Sequence, residues 1–175
     1  MKLRIFFIAT VVVGLFASSS IAGDPNQVFK GRIMMSQKRF PLSSRSKDAY
    51  IAQVRKQSSN TFKEDAEKKG WKIYFAAFLK TPLNDVEYVV KFYEVGRGQQ
   101  QLLGASEAFN DERGQKTIVS NITLDKKSFG VNKELLMTIE NKGNVLASGR
   151  FKIIGEGERY SGKVNFSEEE ASGKE

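Results

Sequence analysis

Apolar and polar positions alternate with period two along most of this chain. Trp71, Ile73, Phe75, Ala77 and Leu79 alternate with Lys72, Tyr74, Ala76, Phe78 and Lys80. A second run alternates Val86, Tyr88, Val90 and Phe92 with Glu87, Val89, Lys91 and Tyr93. Such runs, rich in aromatic and β-branched residues, predict strands. Between them stand Thr81, Pro82, Leu83, Asn84 and Asp85. Proline pre-sets φ for a turn, and Asn and Asp accept turn geometry. Residues 71–95 therefore predict a β-hairpin. In a simple antiparallel register, Ala76 faces Val90 and Tyr74 faces Phe92 on one side. On the other, Ala77 faces Val89 and Ile73 faces Tyr93. Both faces are mostly apolar, whereas a half-exposed sheet has one polar face. The hairpin is thus expected to be covered on both sides, in the middle of the core.

The same alternation predicts strands over residues 27–35, 102–109, 116–124, 134–140, 145–154 and 160–166. Turns fall at 110–114, 141–144 and 155–158. One helix is expected over about residues 46–69. Ser46 suits its N-cap, and Asp48 suits the positive end of the helix dipole. Tyr50, Ile51 and Val54 lie at helical spacing, with Phe62 continuing the stripe. The run Ser58, Ser59, Asn60, Thr61 is a weak helix former and predicts a break. Lys68, Lys69 and Gly70 form the stop. About eight strands at this spacing predict a mainly β fold. The expectation is an antiparallel β-sandwich with the helix packed on it, covering one face of the hairpin.

The N-terminus has a different pattern. Lys2 and Arg4 precede an apolar run over residues 5–16, too short to be a comfortable membrane span. Ser20, Ile21 and Ala22 place small residues where a signal peptidase cuts, so residues 1–22 read as a signal peptide. Removing them from 175 residues leaves 153, which suits one domain over residues 23–167. Loss of Lys2 and Arg4 takes the formal charge from +8 to +6. Residues 168–175, EEEASGKE, form an acidic tail expected to be disordered. Export to the periplasm or the cell exterior is the expected localisation.

The chain has no cysteine and no histidine. An exported domain without disulfides rests on its core alone, which fits a bacterial envelope protein. A Ser-His-Asp triad, thiol catalysis and the usual zinc sites are excluded. Ser44 and Lys47 match S-x-x-K, in which a lysine amine can serve a serine nucleophile, but the S-D-N and K-T-G partner motifs are missing. Asp111 with Glu112, and Glu168 to Glu170, lack the alternating ligand pattern of a calcium loop. Glu87 and Glu94 fall on opposite faces of their strand, so they do not form a carboxylate pair. Trp71, the sole tryptophan, is assigned to the core rather than to a sugar platform. No catalytic residue, metal or cofactor is assigned.

The one feature with a functional slant is a run of like charge. Lys30, Arg32, Lys38, Arg39, Arg45 and Lys47 occur without an intervening acidic residue. They are the candidate binding residues, suited to an anionic partner such as lipid head groups, lipopolysaccharide or acidic polysaccharide, or to a protein. Export argues against nucleic acid. The alternating runs and hairpin turns also resemble immunoglobulin-like sandwiches. Residues 71–94, and residues 147–151 followed by 160–164, resemble uncharacterised exported bacterial proteins of this layout. That resemblance implies an exported β-sandwich and carries no catalytic residues over. The expected function is a non-enzymatic binding or accessory protein of the bacterial cell envelope. The alternatives are a small hydrolase using carboxylates or the Ser44/Lys47 pair, and a structural subunit assembling by strand addition.

Overall fold

The structure is a computed structural model that describes residues 23–156, apart from 66, 68, 97 and 98. The expected signal peptide, the strand over 160–166 and the acidic tail lie outside the described residues. Within them the chain is mainly β. Its strands are β1 (Arg32–Ser36), β2 (Thr61–Lys63), β3 (Gly70–Leu83), β4 (Glu87–Glu94), β5 (Gln101–Phe109), β6 (Gln115–Asp125), β7 (Lys133–Asn141) and β8 (Asn144–Ile154). The helices are α1 (Pro25–Val28), α2 (Lys47–Gln57) and α3 (Lys126–Phe129).

The eight strands form one sheet in the order β5-β4-β7-β8-β1-β3-β6, with β2 added to β8. The sheet is strongly curled into a half-barrel. This differs from the antiparallel two-sheet sandwich expected from the strand spacing. Pairing is mixed: β1 and β2 both run parallel to β8, and the other pairs are antiparallel. Parallel neighbours must be far apart in sequence, so local alternation carries no sign of them.

The hairpin over residues 71–95 is not formed. Its two strands exist, but β3 pairs with β1 and β6, while β4 pairs with β5 and β7. A strand has two edges, and both edges of β3 are already occupied. Residues 84–86 instead carry the chain across one end of the curl. The β5–β6 connection runs beside this crossing, where Gly114 N–H donates to the Leu83 carbonyl at 2.6 Å and Asn110 N–H to the Val86 carbonyl at 2.7 Å. A true hairpin joins β7 to β8 through Lys142 and Gly143, both at positive φ (49° and 81°). That conformation matches the right-handed twist of the flanking strands.

The core lies on the concave side. Trp71, Ile73, Phe75, Ala77 and Leu79 of β3 meet Val90 and Phe92 of β4, Leu135, Met137 and Ile139 of β7, and Phe151 and Ile153 of β8. The convex side of β3 is apolar too, at Ala76 and Phe78. There Phe29, Phe40, Ile51 and Val54 cover it in a second cluster, and the Phe29 and Phe78 rings lie 4.8 Å apart. The expectation that both faces are covered therefore holds for β3, and α2 supplies part of the cover. It fails for β4, whose convex face carries Lys91 and Tyr93 beside Glu140 of β7.

The helix ends earlier than the expected residue 69. Ser46 Oγ accepts from Ala49 N–H at its start. At its end the Ser58 amide and hydroxyl both donate to the Val54 carbonyl, and Ser59 N–H donates to Met35 of β1. The predicted break is present, but the chain continues as strand β2. Phe62 thus belongs to the concave core, edge-on to Phe151 at 5.8 Å, rather than to a helical stripe. Over 27–35 the strand begins only at Arg32. Asp24 caps a helical turn, Pro25 opens it, and that turn takes up Gln27 and Val28.

Candidate functional site

Strand β1 splits the basic run in two. In its register with β3, Arg32 lies opposite Phe78 and Ser36 opposite Tyr74. Those four steps span about 13 Å. Lys30 and Arg32 stand at the Phe78 end, where Gly31 packs against the Lys80 side chain. Lys38 and Arg39 stand at the Tyr74 end. Arg45 and Lys47 flank the start of α2. All six cations are exposed. The structure brings Lys38 and Arg39 into grooves and leaves Lys30, Arg32, Arg45 and Lys47 on open surface.

Lys38 and Arg39 are consecutive but line different grooves. Lys38 shares a groove of about 720 Å³ between α2 and the end of β1 with Ser36, Gln53, Lys56, Gln57 and Ser59. Gln57 Oε1 is buried there without a hydrogen-bond partner. Buried acceptors in folded proteins are nearly always satisfied, so this oxygen is available to a donor. Ser36 is itself buried and accepts from Lys38 N–H at 3.0 Å, which fixes the start of the loop.

Arg39 lines a smaller groove of about 280 Å³ on the convex side of β3 and β6, with Phe40, Leu42, Tyr74, Val119 and Asn121. The helical cover ends here. Ala76 and Phe78 lie under it, and Tyr74, next on the same face, emerges beside the loop. The Arg39 guanidinium stands 6.0 Å from the Tyr74 ring centre and the Lys72 ammonium 5.4 Å. These are cation–π distances. The Lys72 ammonium beside it, together with the Arg39 guanidinium, holds the Tyr74 phenol below the ordinary tyrosine range. Neither groove is lined by a carboxylate. Leu42 is 87% exposed at the mouth of the smaller one.

This site needs Lys72 and Tyr74, which sequence reasoning left in the strand alternation. The signal was present but local: Lys72 and Tyr74 are the polar positions at the start of the second face of β3, which turns apolar at Ala76 and Phe78 and polar again at Lys80. Other sequence candidates fall elsewhere. Trp71 is buried, and its indole N–H donates to the Ile154 carbonyl at 3.1 Å. Ser44 and Lys47 are exposed and line neither of these two grooves. Glu94 pairs with Lys133 at 2.6 Å. Among the described residues no cluster of three metal-ligating side chains occurs, and no helix is long and apolar enough to cross a membrane. No protein-family model matches this sequence, and a search of curated proteins finds none that matches it.

Proposed function

We propose that this is a non-enzymatic, exported binding or accessory protein of the bacterial cell envelope that holds an anionic partner on the convex face around Tyr74. The observation that carries this reading is the convergence of Arg39 and Lys72 on the Tyr74 ring, in a groove without a carboxylate. Two cations beside an aromatic ring suit a phosphate, sulfate or carboxylate group attached to an apolar or sugar body. Phe40 and Leu42 offer apolar contact to that body. Lys38 and Lys56, in the neighbouring groove, extend the positive field on the other side of the loop.

The test is retention on vesicles containing phosphatidylglycerol and on an acidic polysaccharide, with neutral phosphatidylcholine vesicles as control. Binding to at least one anionic phase is expected, weakening as salt rises from about 50 to 500 mM. Charge reversal at Arg39 and Lys72 (R39E, K72E) should abolish it, while reversal at Lys30 (K30E) should leave most of it. Equal loss from all three variants, or binding indifferent to salt, would remove the proposal.

A further inference from the structure

Leu42 is the most exposed large apolar side chain among the described residues, at 87%. A single exposed leucine needs no explanation by itself; its setting does. It sits in the loop between β1 and α2, which is anchored on both sides. Phe40, two residues before it, is buried in the convex cluster with Phe29 and Phe78. After it, Ser46 caps α2, whose Ile51 and Val54 enter the same cluster. Between these two attachments, residues 42–45 are all exposed. The charge of the loop has one sign. Lys38, Arg39, Arg45 and Lys47 are exposed on either side of Leu42, and no acidic residue occurs between Asp24 and Asp48. Lys38 is four residues from Leu42 and Arg45 three, so both lie within about 14 Å of it along the chain. Tyr74 shares its groove with Leu42, and Lys72 stands over the Tyr74 ring.

An apolar tip flanked by cations matches the layered chemistry of a lipid surface, with anionic head groups outside and hydrocarbon directly beneath. A soluble acidic polysaccharide supplies the anions but no apolar phase for Leu42. We propose that the loop of residues 38–47 docks on an anionic bilayer and inserts Leu42 below the head groups. This names the partner of the site around Tyr74, and it rests on the reading of that site as one that holds an anion. Lys38, Arg39, Arg45 and Lys47 meet head-group phosphates, and Lys72 adds its charge beside them. Leu42 is already exposed, so it reaches hydrocarbon without a rearrangement of the fold. The half-buried Tyr74 suits the boundary layer, where one end of a tyrosine is apolar and the other wet. The two attractions differ in kind. Each cation near an anionic surface contributes about fivefold in partitioning and is screened by salt. Insertion of one leucine contributes about tenfold. That is far less hydrocarbon than an acyl chain buries, so the attachment is reversible.

Trp71 is the sole tryptophan and is buried, so Leu42→Trp adds a reporter over a constant background. The full chain and its variants are titrated with vesicles of mixed phosphatidylglycerol and phosphatidylcholine, and with dextran sulfate as a soluble polyanion. Leu42→Ser is expected to bind the anionic vesicles about tenfold more weakly than wild type, with any affinity for dextran sulfate unchanged. Leu42→Trp is expected to bind the vesicles at least as tightly as wild type. Its added emission should move to the blue and be quenched by lipids brominated on the acyl chain. Equal vesicle affinity of Leu42→Ser and wild type, or no acyl-chain quenching of Leu42→Trp, would overturn the insertion. Wild type bound to dextran sulfate but not to the anionic vesicles would overturn it too, and would leave the anion site of Arg39 and Lys72 standing. Binding to neither phase would remove both.

Discussion

Lys91 of β4 donates to Glu140 of β7 at 2.6 Å, diagonally across the strand pair on the convex face. The carboxylate also accepts from Thr138 at 2.9 Å and from Tyr93 at 3.4 Å, and it is only 7% exposed. Burial pushes its pKa up, but the Lys91 bond and charge and the Thr138 hydroxyl more than offset this, so Glu140 sits below the usual carboxylate range. A depressed folded pKa contributes stability above the unfolded value of about 4.3, lost as pH falls through the folded value. Glu140 in turn raises Lys91, whose contribution is present below about 10.4 and lost as pH rises through its folded value. Thermal melts of Glu140→Gln should therefore fall below wild type at about pH 6 and converge towards it at about pH 3. A gap independent of pH would remove the ion-pair account.

Tyr74 offers a direct reading of the groove. Its phenol should ionise at lower pH than an ordinary tyrosine, because Lys72 and Arg39 favour the phenolate. The difference in ultraviolet titration between wild type and Tyr74→Phe isolates this group among the five tyrosines. Lys72→Met should move its midpoint upward. An unchanged midpoint would show that the cations do not act on the ring in solution.

Trp71 ties the start of β3 to the end of β8 by its bond to Ile154 and fills the core between them. Trp71→Ala should cost about 3–5 kcal/mol, and Trp71→Phe less, by chemical denaturation. Loss of under about 1 kcal/mol for the alanine variant would place the indole outside the cooperative core.

Gly149 marks the crossing of β8 and β1. A Cβ there would stand 2.6 Å from the Ile33 carbonyl and 2.8 Å from the Met35 methyl. The carbonyl belongs to the backbone of β1 and cannot swing away. Gly149→Val should cost about 1–3 kcal/mol or more, and Gly143→Val, where no atom lies near but φ is positive, should act through backbone strain alone. Hydrogen exchange separates them: the first should loosen β1, the second only the β7–β8 turn.

Much of the fold was legible in the alternation of single residues. Seven of the strand positions, the capped start of α2 at Ser46 and the turn through Lys142 and Gly143 follow from local preferences that need no distant partner. The hairpin over 71–95 shows where such reading stops. Pro82, Asn84 and Asp85 permit a tight turn, but turn chemistry does not say whether the edges of β3 and β4 are free to meet. Phe62 shows the same limit on a smaller scale, since one aromatic after a helix break fits a helical stripe or a three-residue strand equally well. The candidate site was half visible. Lys38 and Arg39 stood out by charge, whereas Lys72 and Tyr74 became its partners only once β1 was laid beside β3.

The sequence by itself determined seven of the eight strand segments, that the chain has neither thiol nor imidazole chemistry, and that both faces of β3 are mostly apolar. Those are properties of single residues and of their spacing. Only the tertiary structure decided which strands are neighbours, that one curled sheet replaces two stacked ones, and that the basic run is divided by β1. The physical reason is that strand pairing satisfies backbone groups, which are the same in every residue. The side-chain pattern fixes which face of a strand is buried, but leaves the choice of partner to the packing of the whole chain.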